Sequence, residues 1–129
     1  MVLRQRDFLV ILLLSFVLII LGCSPKEGLK AVVPIQLSVG ANNQCLQNGA
    51  TGTVDMYAAG VAWSGPNATT SIEVHLPAGC PFSKCDFGPS TGSISSGPAS
   101  GAVGTTYPYS SISVGGSSCT VGTDGLIMR

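Results

Sequence analysis

The five cysteines constrain the fold of this chain more than any other feature, because the sequence around them is rich in glycine and serine and poor in helix formers. Glycine loses more conformational freedom on folding than any other residue, so such a backbone is costly to order. Disulfide bonds compensate for this cost in small exported domains. An odd number of cysteines is awkward for such a protein, because one thiol is left without a partner.

The N-terminal segment predicts export. Arg4 and Arg6 give it a positive start, and an apolar run follows over residues 8–21, interrupted only by Ser15. A helix that spans a membrane needs about 20 apolar residues, so this run is too short and has the length of a signal-peptide core. We therefore expect residues 1–22 to be an apolar, helical signal peptide that is cleaved.

The run ends in Ile20-Leu21-Gly22-Cys23, which resembles the lipobox of bacterial lipoproteins, although Leu21 departs from the commoner Ala or Ser. The resemblance implies cleavage before Cys23 and a covalent lipid on its thiol. Each buried acyl CH₂ contributes about 0.8 kcal/mol to membrane binding, so several acyl chains on one residue anchor a small domain firmly. Ser24, in place of the Asp typical of inner-membrane retention, favours the outer membrane if the cell has one. The alternatives are an ordinary secretory signal with Cys23 in a disulfide, or an uncleaved anchor.

If Cys23 carries lipid, an even set of four cysteines remains, and these can pair in three ways. We favour Cys80–Cys85 together with Cys45–Cys119. Cys80 and Cys85 bracket a short turn in which their Cα atoms can approach to about 6 Å, as a disulfide requires. The longer bridge contributes roughly 4 kcal/mol in the chain-entropy model. Zinc binding and redox catalysis are weaker alternatives, because paired Cys-x-x-Cys motifs and a supporting helix are both missing from the sequence pattern.

The mature chain predicts a short tether followed by one β domain. Residues 23–30 are polar and contain Pro and Gly, as a tether between lipid and domain should. Residues 31–129 alternate apolar and polar side chains in runs separated by turn residues, which predicts strands over 33–39, 51–63, 71–76, 107–114 and 119–128. Such spacing favours an all-β fold: a small antiparallel two-sheet sandwich of about 6–8 strands.

Several residues interrupt these runs. We expect Pro34 to mark an edge strand and Gly60 to bend the second strand. The alternation changes parity after Tyr109, which indicates a bulge. The Gly-, Pro- and Ser-rich stretch 88–104 predicts a weak edge strand between mobile loops, with Phe87 anchoring the preceding loop to the core.

The C-terminal third carries a further resemblance. Tyr107-Pro108-Tyr109, then a turn ending at Cys119, then Asp124-Gly125 and an aliphatic strand are similar to the last two strands of small uncharacterised bacterial Ig-like or cupredoxin-like domains. Those domains usually have Pro where this chain has Gly125. The resemblance implies a fold with no activity attached.

The sequence contains no assembled catalytic or metal site. Blue copper needs two histidines, whereas His75 is the single histidine of the chain and falls on the polar face of its predicted strand. No Gly-x-Ser-x-Gly elbow accompanies the many serines. The four carboxylates after residue 30 are expected to be simply exposed, at Asp55, Glu73, Asp86 and Asp124. We therefore predict no catalytic residue, no metal and no cofactor besides the lipid on Cys23.

Aromatic residues are the best candidates for a binding surface, because exposed rings stack well on sugars and peptides. We select Tyr57, Tyr107 and Tyr109 as surface candidates. Trp63 is expected to fill the core between the sheets, as a lone tryptophan in a sandwich usually does.

Charge excludes one class of partner. Beyond residue 22 the chain has only four basic side chains against five acidic ones, too few cations to neutralise a row of phosphates, so we expect no nucleic-acid binding. The sequence therefore predicts a non-enzymatic envelope lipoprotein, held to a membrane by its lipid, that binds an envelope protein or glycan or acts as an adhesive or accessory surface. A small-ligand or metal-binding module is the first alternative, and a secreted hydrolase is the second.

Overall fold

Residues 31–129, which are the residues that the computed structural model describes, form eleven β-strands and one short 3-10 helix. The predicted signal peptide (1–22), the lipidation site Cys23 and the tether (23–30) lie outside them. The strands, in chain order, are β1 (Val33–Val39), β2 (Cys45–Gln47), β3 (Thr53–Met56), β4 (Val61–Ser64), β5 (Ser71–His75), β6 (Asp86–Thr91), β7 (Ile94–Ser95), β8 (Thr106–Pro108), β9 (Ser111–Val114), β10 (Ser117–Cys119) and β11 (Gly125–Met128). The 3-10 helix (Ala41–Asn43) connects β1 to β2.

The strands form two four-stranded sheets, ordered β2-β1-β4-β7 and β10-β9-β5-β6, and a three-stranded sheet ordered β3-β11-β8. Most neighbours are antiparallel, but β1 runs parallel to β4 and β3 runs parallel to β11. The predicted all-β, sandwich-like class is confirmed. The prediction of two antiparallel sheets with 6–8 strands is wrong for residues 31–129, where eleven strands form three sheets and two of these sheets are mixed.

Some of the extra strands arise where a predicted strand divides and its halves join different sheets, whereas β2 lies outside every predicted strand. The segment 51–63 divides at Gly60 into β3 and β4, and the segment 107–114 divides after Tyr109 into β8 and β9. The predicted strand 119–128 is shorter in the structure, because β11 covers only its end and its first residue, Cys119, is the last residue of β10. The change of parity after Tyr109 therefore marks a crossing between sheets rather than a bulge, because each half presents its apolar face to the core from a new sheet.

Pro34 does not mark a strand at the edge of the sheet, because β1 lies between β2 and β4. The Pro34 half of β1 pairs with β4 on one side, and Asn48 takes the place of a strand on the other. Asn48 Oδ1 accepts from the Gln36 amide at 2.8 Å, and the Asn48 amide donates to the Gln36 carbonyl at 2.8 Å. One left-handed asparagine (φ +52°) thus satisfies backbone groups that β2 is too short to reach.

The core centres on Trp63, which is fully buried as predicted, and contains buried side chains from all three sheets. Its ring lies 5.0 Å from the Phe87 ring and 5.9 Å from the Phe82 ring, between centroids. Phe87 is 1% exposed, so its predicted role as the anchor of the loop before β6 is confirmed, and β6 is an edge strand of its sheet. Aromatic contacts of this kind add to the stabilisation that buried area provides.

Both predicted disulfides are present, Cys45–Cys119 with a Cα–Cα distance of 5.2 Å and Cys80–Cys85 with one of 5.9 Å. Cys45 begins β2 at the edge of one four-stranded sheet, and Cys119 ends β10 at the edge of the other. The Cys45 amide also donates to the Thr120 carbonyl at 2.9 Å. The longer disulfide therefore joins the two sheets along one side of the domain.

Candidate functional site

A groove lies between the loop that follows β5 and the edge strand β8. It has a volume of about 150 Å³ and is lined by Leu76, Pro77, Ala78, Gly79, Cys80, Tyr107 and Pro108. The loop leaves the sheet after His75 and returns at Asp86, and the Cys80–Cys85 bridge closes it internally. A short covalent ring of this kind holds one wall of the groove with few free torsions, which lowers the entropy that a ligand would have to remove.

Tyr107 is the surface candidate that the structure places in this groove. It is half-buried on β8, where it is paired with Leu126 of β11, and its side chain forms part of the groove wall. Tyr57 is also half-buried, but it lies just after β3 in the turn closed by its bridge to Gly60. The structure therefore does not bring Tyr57 and Tyr107 together in the groove.

The selection of Tyr109 as a surface residue is wrong, because Tyr109 is only 4% exposed. Its hydroxyl accepts from Trp63 Nε1 at 3.0 Å and donates to Gln47 Oε1 at 2.6 Å. Gln47 Nε2 in turn donates to the carbonyls of Gly52 and Gly125, at 2.9 and 3.1 Å. Trp63, Tyr109 and Gln47 thus form a buried row of hydrogen-bonded side chains. Their burial carries little energetic cost, because each of these polar groups has a hydrogen-bond partner. The sequence pattern carried no signal for these hydrogen bonds, since the residues that form them are far apart in the chain.

Asp124 is the second correction, because this carboxylate was expected to be exposed and is only 2% exposed. Its Oδ1 accepts from the Gly52 amide at 2.8 Å, while its Oδ2 has no hydrogen-bond partner among residues 31–129. Burial raises the pKa of Asp124 above its ordinary value, and the bond from Gly52 opposes that rise. Asp55, in contrast, is exposed as predicted and pairs with Arg129 at 3.2 Å.

A cluster of three titratable side chains lies on the outer face of the β10-β9-β5-β6 sheet, where β5 and β6 meet. His75 Nδ1 lies 2.6 Å from Asp86 Oδ1, and His75 Nε2 lies 2.8 Å from Glu73 Oε1. Glu73 and His75 share this face because they are two residues apart on β5, and Asp86 is opposite His75 in the register with β6. The pKa of His75 is raised from 6.5, first by the hydrogen bond to Asp86 and then by the one to Glu73.

This cluster has the geometry neither of a metal site nor of a Ser-His-Asp catalytic triad. The two carboxylates face opposite nitrogens of the ring, so they cannot converge with the imidazole on one metal ion. Among residues 31–129 no group of three His, Cys, Asp or Glu side chains is arranged to hold a metal. In a Ser-His-Asp triad the second ring nitrogen accepts from a serine hydroxyl. Here that nitrogen faces Glu73, although Ser111 is the neighbour of His75 across the β5–β9 pairing.

A second, more polar concavity of about 170 Å³ lies beside the Cys45–Cys119 disulfide. Its lining includes Cys45 itself and several hydroxyl and amide side chains: Gln44, Thr51, Thr120 and Thr123. It contains none of the aromatic or titratable residues discussed above. The apolar groove beside Tyr107 is therefore the better candidate for a binding site.

Comparisons with known proteins do not assign the chain to a family. No protein-family model matches the chain, and it has no significant match among curated proteins or solved structures. Within residues 31–129, the structure has no helix with the length and apolar character needed to cross a membrane.

Proposed function

We propose that this chain is a lipid-anchored protein of the cell envelope whose β domain is a non-enzymatic binding module. In this proposal residues 1–22 are the signal peptide, Cys23 carries the lipid, and residues 23–30 are the tether. The domain presents the groove beside Tyr107 to an envelope protein or glycan. Its fold belongs with the Ig-like or cupredoxin-like sandwiches, a proposal supported by its two four-stranded sheets packed around a lone buried tryptophan.

The pairing of the cysteines is the observation that carries the lipid anchor. The chain has five cysteines, and the four beyond residue 30 are consumed by Cys45–Cys119 and Cys80–Cys85. Cys23 therefore has no cysteine of its own chain left to pair with. Its position at the end of Ile20-Leu21-Gly22-Cys23 is the one at which lipoproteins with this motif are acylated. The disulfides also favour an oxidising compartment, in which an unpaired thiol is reactive. Acylation of Cys23 would remove that free thiol.

The groove supports the binding role. It is concave and mostly apolar, with one wall braced by the Cys80–Cys85 bridge and the other provided by Tyr107 and Pro108. A tyrosine in such a position offers an apolar ring and a polar hydroxyl at low entropic cost. A preformed, mostly apolar groove of this kind is typical of ligand-binding sites.

Metabolic labelling with palmitate tests the anchor. We expect label on the wild-type chain, cofractionation with membranes, and loss of both in Cys23→Ala. Ser24→Ala is the matched control and should keep the label, because it leaves the acylated thiol and the residues before it intact. An unlabelled wild-type chain, or label that persists in Cys23→Ala, would contradict the lipid anchor.

Cross-linking in intact envelopes tests the groove. The wild-type chain should yield a defined cross-linked neighbour, and Tyr107→Ala should reduce its yield. Val103→Ala is the control, because Val103 is 74% exposed and is not part of the groove lining. Equal cross-linking by both variants would contradict the assignment of the groove as the binding site.

A further inference from the structure

The cluster of His75, Glu73 and Asp86 lies at the base of a loop, so its hydrogen bonds can restrain that loop. His75 is the last residue of β5 and Asp86 is the first residue of β6, so their side chains meet at the base of the loop 76–85. At this base the Leu76 amide also donates to the Cys85 carbonyl at 2.8 Å. The same loop forms one wall of the groove described above.

The number of protons on the imidazole decides how many of these contacts can form. Both partners of His75 are carboxylates, which accept hydrogen bonds and donate none when ionised. A neutral imidazole has one N–H and can donate to Asp86 or to Glu73, whereas the imidazolium donates to both. The observed geometry, with a carboxylate oxygen within 2.8 Å of each ring nitrogen, is therefore complete only when His75 is charged.

We propose that His75 is a proton-controlled clamp that fastens the loop 76–85 to the sheet when it is charged and releases one of its two carboxylates when it is neutral. Glu73 on β5 and Asp86 on β6 are the charged groups that face it, and the neighbouring residue on β9 is the uncharged Ser111. Lys84, in the same loop, lies over the Phe87 ring at 5.2 Å instead. In mild acid the imidazolium thus holds both carboxylates at the base of the loop, and in neutral to alkaline medium the imidazole holds only one of them.

The direction of the pH effect follows from the difference between the folded-state and unfolded-state pKa of His75. The pKa of His75 is raised in the folded protein, so the clamp contributes fully below the ordinary value of 6.5 and is lost as the pH rises through the folded-state pKa. His75 is the single histidine of the chain, so its titration can be followed without an assignment problem. The side chains of His75 and Glu73 are about one third exposed and that of Asp86 is 77% exposed, so added salt should weaken the effect.

Two measurements on the purified full chain test the clamp, and neither needs a ligand or a lipid. The first is the NMR titration of His75, for which we expect a pKa above 6.5 that falls in Glu73→Gln and in Asp86→Asn. The second is amide hydrogen exchange, corrected for its intrinsic pH dependence. Protection of the Leu76 amide should decrease about two- to fivefold as His75 loses its proton, the range expected for partly exposed ion pairs.

The Gly115 amide is the internal control, because it donates to the Ser71 carbonyl at the opposite end of β5, at 2.7 Å. Its protection should not follow the titration of His75. A His75 pKa at or below 6.5, or equal pH dependence of the Leu76 and Gly115 amides, would overturn the proposal. His75→Gln separates the clamp from general unfolding: this variant should fold and show a Leu76 protection that no longer changes over the same pH range. Persistence of the change in His75→Gln would also contradict it.

Discussion

Trp63 and Tyr109 are joined by a hydrogen bond in the centre of the core, from the indole Nε1 to the phenol oxygen at 3.0 Å. Trp63 belongs to β4, and Tyr109 lies between β8 and β9. Their rings also make an edge contact, with centroids 6.4 Å apart. The bond therefore fixes β4 relative to the segment between β8 and β9 more specifically than apolar packing alone can do.

Tyr109→Phe should destabilise the fold by about 1–3 kcal/mol, because it leaves the buried Trp63 Nε1 and Gln47 Oε1 without their shared partner. Urea unfolding followed by tryptophan fluorescence measures the change. Tyr107→Phe is the matched control at a half-buried position and should change the free energy of unfolding by less. Equal effects of the two substitutions would show that the buried row contributes nothing specific.

Asp124 should make the protein less stable as the pH rises. Its pKa is raised on folding, so its contribution is fully present below the unfolded value of 3.8 and is lost as the pH rises through the folded-state pKa. Asp124→Asn keeps an acceptor for the Gly52 amide but removes the buried charge. In this variant the free energy of unfolding should therefore depend less on pH over the same range.

Asp124→Ala is the comparison variant. It removes the acceptor as well as the charge, so at neutral pH we expect it to be less stable than Asp124→Asn by about 1–3 kcal/mol. Chemical unfolding of both variants across the acidic range provides the measurement. A pH profile of Asp124→Asn that is identical to the wild-type profile would refute the buried carboxylate as its source.

The two disulfides should differ in accessibility. Cys45 and Cys119 are 1% and 8% exposed, whereas Cys80 and Cys85 are only partly buried. Because thiol–disulfide exchange needs access to sulfur, a mild thiol should reduce Cys80–Cys85 first in the native protein. Alkylation and peptide mass mapping at increasing reduction times measure the order; simultaneous reduction of both would contradict it.

Gly60 should tolerate no side chain. Its φ is +86°, and a Cβ there would collide with the Gly97 carbonyl oxygen and Ser96 Oγ. Gly49 has a similar φ of +79° but open space around it. Gly60→Ala should therefore lower the free energy of unfolding by more than Gly49→Ala, which carries only the backbone strain of about 1 kcal/mol. Comparable losses in thermal unfolding would show that the close approach to Ser96 and Gly97 is relieved easily.

Part of the candidate site was predictable from local pattern. The side chains of Glu73 and His75 share a face because they alternate along one strand, and the spacing of Cys80 and Cys85 predicted their bridge. The approach of Asp86 to His75 was not predictable, because it depends on the register between β5 and β6. The burial of Tyr109 was missed for a similar reason, since the chain changes sheet immediately after this residue.

The amino-acid sequence alone determined where most of the strands lie, that Trp63 and Phe87 face inward, and that four cysteines can close two bridges. These properties follow from alternation, residue size and spacing, which act along the chain. Only the tertiary structure decided which sheet each strand joins, and that Gln47, Tyr109 and Asp124 meet in the interior. The reason is physical: strand pairing and the satisfaction of buried polar groups depend on residues far apart in the chain, and local periodicity does not encode such contacts.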